Sequence, residues 1–300
     1  MVNKGRGINI HHKNKNEKLP IISYCPSYIK NYLETQEFST GRYKFYSHSI
    51  STYNTPESMK SLGFTDNIAS FCVGQVIKNK DITLEELKFA IINSDIPPNS
   101  KNPALTRISN LTNSKYFNKR LKPLDIQGEW SKGNIIAINY FSQDGSSLSS
   151  DVSKIVTQIR ELAQRNVRKN DKQKIMIVFD DGNYYLESKP YNECSIKSVL
   201  NCQINYRALG INNITAYQFP ESVDSKIVKG STKKLISYIE QPNSLSGIIP
   251  SDALYCLQAG EEDGGIRVDM KNYVIEWIYR EEGRDWYRFF PEDCKIGHKF

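Results

Sequence analysis

Asp180, Asp181, Glu187 and Lys189 are the side-chain types that phosphodiester hydrolysis uses. Two carboxylates can hold Mg²⁺, which activates water and stabilises the charge that grows on the phosphate, and a nearby lysine can assist the attacking water. Residues 174–180 (KIMIVFD) and 183–189 (NYYLESK) both read as strands, with Asp181-Gly182 as the turn signal between them. On a strand the side-chain period of two puts Glu187 and Lys189 on one face. A two-residue turn would set Asp180 opposite Asn183 and Glu187 opposite Met176, ~13 Å apart at ~3.3 Å per residue. Sharing one ion then calls for a wider loop, a bend, or a different first acid among Asp144, Asp151 and Asp171.

This segment resembles the active-site hairpin of the PD-(D/E)xK nucleases. The resemblance implies a metal held by Asp180 and/or Asp181 with Glu187, and a nucleophile assisted by Lys189. The surroundings match in outline, with helical patterns over 152–167 and 194–209 on either side and a strand over 214–219 beyond. That family usually has three strands between its helices, and two are found here. Gln203 and Tyr206 are similar to a polar pair found in some branches.

A second constellation is nucleophilic. Cys25 precedes Pro26 and a helical pattern, and a thiol at a helix N-terminus is acidified by the positive end of the dipole. It requires a histidine base, for which His48 in Tyr46-Ser-His48-Ser is the embedded choice, with Asp66 or Asn67 to orient the ring. This points to a hydrolase or acyltransferase acting on a protein, as an effector delivered into another cell would. A third signal is charge. Residues 101–132 hold seven bases against Asp125 and Glu129, and Lys115, Lys119, Arg120 and Lys122 stand beside Tyr116 and Phe117. Bases interleaved with aromatics suit single-stranded nucleic acid, in which phosphates meet cations and bases stack on rings.

The elements that position these groups are mixed. Residues 1–24 form a basic, flexible tail, and residues 25–125 read as short helices. Pro56 opens one helix that Gly63 closes. Thr65 or Asp66 precedes the stripe Ile68, Phe71, Cys72 and Val76, and Thr83 with Glu86 forms a capping box. Residues 96–103 carry three prolines and read as loop. Residues 130–300 form a mixed-sheet region. It opens with a strand over 135–141, and an N-cap at Ser149, Ser150 or Asp151 starts an amphipathic helix marked by Val152, Ile155, Val156 and Ile159. Residues 231–240 read as helical, and the C-terminal runs IRVDM, YVIEWIY and WYRFF as an antiparallel meander turning at 281–283. The fold class is thus mixed α/β, with a helical N-terminal region and a mixed-sheet C-terminal one.

The 300 residues carry 40 Lys+Arg against 33 Asp+Glu. Residues 261–300 have ten acids and seven bases, so the excess of positive charge lies in the first 260. No apolar run approaches the ~18 residues that span a bilayer. The six cysteines lack CxxC spacing and only four histidines exist, which disfavours a disulfide framework and structural zinc and suits a cytoplasmic setting. The leading expectation is nucleic-acid binding or processing, with Mg²⁺-dependent cleavage if catalytic. The alternatives are the Cys25–His48 enzyme and a non-enzymatic interaction protein using the aromatic C-terminal strands.

Overall fold

The computed structural model describes residues 20–35, 43–140, 145–168 and 174–236, with 246, 254–255, 257, 268–269, 274–275, 277–281 and 286–289. The chain divides into two compact units. The first comprises Pro20–Gln173 and Lys189–Ser198, and the second includes Lys174–Ser188 and Val199–Phe300. The mixed α/β class is as expected, but the divide is not near residue 130. Among the described residues no helix is long and apolar enough to cross a membrane.

The first unit is built on a parallel sheet of β1 (Ile21–Pro26), β2 (Lys44–Tyr46) and β3 (Ile135–Ile138), in the order β2-β1-β3. Tyr24 pairs with Lys44 on one side, and Ile21 with Ile135 on the other. Residues 21–24, read as part of a tail, are therefore the start of the central strand, while residues 1–19 lie outside the described residues. Parallel neighbours require long crossovers, and helices supply them. A 3-10 turn (Ser27–Ile29) and α1 (Lys30–Thr35) follow β1.

Between β2 and β3 come α2 (Pro56–Ser61), α3 (Asp66–Lys78), α4 (Leu84–Ile92), α5 (Pro98–Asn113) and α6 (Ile126–Ser131). The starts of α2 and α4 follow from local chemistry. The Thr55 hydroxyl accepts from the Ser58 N–H with Ser58 reciprocating, and Thr83 and Glu86 form the same exchange. Gly63 ends the α2 segment at φ 89°, a conformation that costs a side-chain-free residue little.

α5 corrects the loop reading of 96–103. Pro98 occupies the first helical turn, where its missing N–H has no partner to lose, so only Pro103 interrupts the ladder. The helices close around Tyr53, Met59, Leu62, Ile68, Leu87 and Ile108, each completely buried. Each such side chain contributes roughly 1.5–3 kcal/mol by leaving water. The unit continues with α7 (Gly145–Arg168), which starts well before the cap read at 149–151.

In the second unit β4 (Ile175–Phe179) pairs in parallel with β5 (Ile211–Thr215), with Ile175 opposite Ile211. The chain between them forms α8 (Asn183–Leu186) and α9 (Glu193–Ile204), whose residues up to Ser198 belong to the first unit, and Gly210 at φ 78° ends the helical stretch as the sequence pattern indicates. The strand read at 214–219 thus lies earlier. After α10 (Ser225–Gly230), residues 233–236, read as helix, form β6 (Lys233–Ile236). A short antiparallel ladder joins β7 (Val268–Asp269) to β8 (Val274–Ile275). β9 (Trp277–Glu281) lies between β6 and β10 (Trp286–Phe289), antiparallel to both. The antiparallel end is therefore present, with β6 as its third strand. The turn residues 282–283 lie outside the described residues.

Candidate functional site

The three parallel strands of the first unit run to one edge of their sheet. Ser27 follows β1, Ser47 and His48 follow β2, and Asn139 and Tyr140 follow β3. The second turn of α7 brings Asp151 to this edge.

The Asp151 side chain is 0% exposed, and its carboxylate accepts three hydrogen bonds. Tyr46 and Tyr140 donate their hydroxyls to Oδ2, and His48 Nε2 meets Oδ1. A buried charge without such partners would be costly, and here every bond is charge-assisted. Burial, and after it the negative charge of Asp151, holds both phenols well above their ordinary range, so they remain donors.

His48 is 5% exposed and walled by rings. Tyr46 and Tyr53 stand edge-on at centroid distances of 5.6 and 6.2 Å, and Tyr116 lies tilted at 6.0 Å. Tyr53 and Tyr116 join through their hydroxyls at 3.1 Å. Lys154, farther along α7, is buried with its Nζ donating to the Thr52 carbonyl and 4.6 Å from the Tyr53 ring centroid. Burial lowers its ammonium to about 8.

His48 also lines a cleft of about 770 Å³. Lys80, Lys115, Lys119 and Arg120 contribute positive charge to its wall and Phe117 an aromatic ring, with Asp81 and Glu85 on the opposing count. The loop carrying these groups is pinned to the strand ends. Ser47 Oγ donates to the Tyr116 carbonyl (2.9 Å) and accepts from the Asn118 N–H (2.7 Å), and Ser27 Oγ donates to the Lys115 carbonyl (3.0 Å). Lys115 takes a positive φ of 55° where the loop leaves α5. The serines after β1 and β2 thus hold a basic loop against the cleft that the buried His48 lines. An open parallel sheet offers its crevice at this edge, and the order β2-β1-β3 places neighbours on both sides of β1.

The residues picked from sequence fare differently. Lys115, Lys119, Arg120 and Lys122 are all exposed; the first three line the cleft, and the Lys122 carbonyl accepts from the Ser47 N–H. Tyr116 is buried and cannot stack on a ligand, whereas Phe117 is half-buried in the cleft wall. Cys25 does not open a helix. It sits in β1, completely buried, and burial pushes its thiol up to about 12, opposite to the acidification expected of a nucleophile. His48 is bonded to Asp151 and not to a thiol.

The hairpin of 180–189 does not form. Asp181 turns the chain at φ 50°, the Gly182 N–H donates to the Ala216 carbonyl (2.8 Å), and 183–186 wind into α8 with Tyr185 and Leu186 buried. Asn183 fastens that turn, donating to the Phe219 carbonyl (2.8 Å) and accepting from the Gln218 N–H (2.7 Å). Glu187 is extended and bridges Val223, while Lys189 precedes the 3-10 turn Pro190–Asn192, and the two fall to different units.

Asp180 accepts from the Asp181 N–H through Oδ1, and burial first, then Asp180, raises the Asp181 carboxyl. The strand-face argument for Asp180, Asp181, Glu187 and Lys189 as a metal and catalytic set therefore loses its premise. No group of three or more His, Cys, Asp or Glu converges as a metal site among the described residues. Asp144 and Asp171 lie outside those residues, and Asp151 is engaged elsewhere.

Tyr46 and Tyr140 are the functional candidates that sequence reasoning passes over, and Asp151 is weighed there only as a metal acid or a helix cap, not as the partner of His48. A signal existed. Counting back from Ile155 by four and then three reaches Asp151 and Leu148, so the apolar stripe of α7 continues through an acid. An acid on a buried face needs partners, and a histidine between serines was the available one. Scans against protein-family models and curated proteins find no match to this chain.

Proposed function

We propose that this chain binds single-stranded nucleic acid in the cleft at the carboxyl edge of the first unit's sheet. The observation that supports it is the convergence of Lys80, Lys115, Lys119, Arg120 and Phe117 on one opening with His48. Cations take the phosphates, and a half-buried ring at the wall takes a base. Lys122, exposed on the same loop, extends the positive track. The reading does not route Mg²⁺ through residues 180–189, whose carboxylates and lysine share no strand face.

The test is fluorescence anisotropy with a short single-stranded RNA and the equivalent DNA across a salt series. Neutralising about four phosphates gives a log–log salt slope of about −3 for single strands. Lys119→Glu with Arg120→Glu should weaken binding at least roughly tenfold and flatten that slope. Salt-independent binding, or none at low salt, rejects the proposal.

A further inference from the structure

We propose that the His48–Asp151 pair makes this cleft a metal-independent ribonuclease site, an inference that rests on the nucleic-acid reading above. Asp151 Oδ1 meets Nε2, and its other oxygen already accepts from two phenols. Acting as an acceptor throughout, the carboxylate fixes the ring proton on Nε2 and leaves the lone pair on Nδ1. That is the tautomer of a general base held by an orienting acid. Tyr46, Tyr53 and Tyr116 stand around the ring, whose side chain is 3% exposed, and His48 is among the residues lining the cleft.

What this base lacks is a nucleophile from the protein. Among the described residues the His48 ring is hydrogen-bonded to Asp151 and to no hydroxyl or thiol, and Cys25 is buried as a protonated thiol. The attacking group must come from the ligand or solvent. In RNA the ribose 2′-hydroxyl stands next to the scissile phosphate, so a positioned base suffices for cleavage.

His48 Nδ1 takes the 2′-hydroxyl proton while the 2′-oxygen forms a bond to phosphorus and the bond from phosphorus to the 5′-oxygen breaks. The departing 5′-oxygen takes a proton from water, and the imidazolium returns its proton to the hydroxide so formed. The products are a 2′,3′-cyclic phosphate and a 5′-hydroxyl, with no co-reactant and no net proton change. Lys115, Lys119 and Arg120 offset the charge on the phosphate oxygens. His48 is the catalytic residue and Asp151 a positioning residue.

The experiment incubates the full chain with single-stranded RNA in EDTA and measures binding and cleavage separately. The expected result is cleavage ending in a 2′,3′-cyclic phosphate, with all-deoxy strand bound but uncut. His48→Gln, which keeps an amide donor for Asp151, should lower the rate ~100-fold or more while changing affinity less than about threefold. Added imidazole should restore part of the His48→Ala activity. Asp151→Asn should lower the rate while changing affinity less than about threefold, because an amide facing Nε2 no longer fixes the ring proton on that nitrogen. RNA that binds but stays intact in EDTA between about pH 5 and 9 overturns this inference and leaves the binding proposal standing. Undiminished cleavage by His48→Gln also overturns it. Failure to bind RNA or DNA at low salt removes both.

Discussion

Two acid-bearing regions of this chain look equally capable of chemistry and differ in what surrounds them. Around Asp180 and Glu187 the acids are close in sequence, yet the Asp181–Gly182 turn and the short helix after it put them to separate uses. Around Asp151 two of the partners, Tyr46 and His48, come from more than a hundred residues away, and with Tyr140 three side chains converge on one buried carboxylate. Proximity along the chain is a poor guide to a site, because a strand face must exist before its period can align anything. Burial is the better guide, since a buried carboxylate persists only where the fold supplies donors.

The largest expected effect comes from breaking the assembled side of this contrast. Asp151→Ala leaves an imidazole and two phenols facing a hole and should destabilise the first unit by ~3–5 kcal/mol, seen as a lower urea midpoint. The matched change on the dispersed side, Asp180→Ala, should cost under about 1 kcal/mol, because its exposed carboxylate is engaged locally, by the N–H of the next residue. Equal losses would erase the distinction.

Titration sharpens it next. The buried Lys154 has its ammonium lowered from 10.5 to about 8, so the folded state carries the cost of the charged form below pH 8. The unfolded chain binds more protons between pH 8 and 10.5, and stability from this group rises through that window by on the order of 3 kcal/mol. Cys25, Cys72 and Cys202 act in the opposite sense, being raised from 9 to about 12 and losing their contribution as pH climbs through that range. Net stability should therefore rise just above pH 8 and fall again at higher pH, and Lys154→Met should abolish the rise. Urea melts at closely spaced pH values check this.

Thiol reactivity comes third. Cys194 is the described cysteine that is only half-buried, so it should alkylate in the native protein before Cys25, Cys72 or Cys202, as peptide mapping would show. Preferential labelling of Cys25 would return it to the catalytic candidates. The smallest effect is local. Thr83→Ala removes one half of the α4 capping box beside the cleft and should cost ~1 kcal/mol with little change in ligand affinity.

What could be read from the sequence follows the same division between local and distant causes. The Thr83–Glu86 box, the Pro56 start and the Gly63 and Gly210 stops were legible because the deciding contacts lie within a few residues. Residues 233–236 were not, because their strand character comes from pairing with β9 some forty-five residues later, where Lys233 meets Glu281. Residues 183–189 alternate well enough for a strand, but β5 supplies the partner for β4 and Asn183 is tied to residues 218–222. For the site, the bases of 115–122 were visible as charge and His48 as an embedded ring. The partner of His48 was hidden inside a helix whose start had been placed several residues too late.

The central claim is that the site lies at the His48 cleft and not at residues 180–189. One RNA-binding titration of the full chain decides between them, comparing wild type with Lys119→Glu/Arg120→Glu and with Glu187→Ala/Lys189→Ala. The account expects the first pair to lose at least about tenfold in affinity and the second to match wild type within about twofold. Loss confined to the Glu187/Lys189 pair would contradict it.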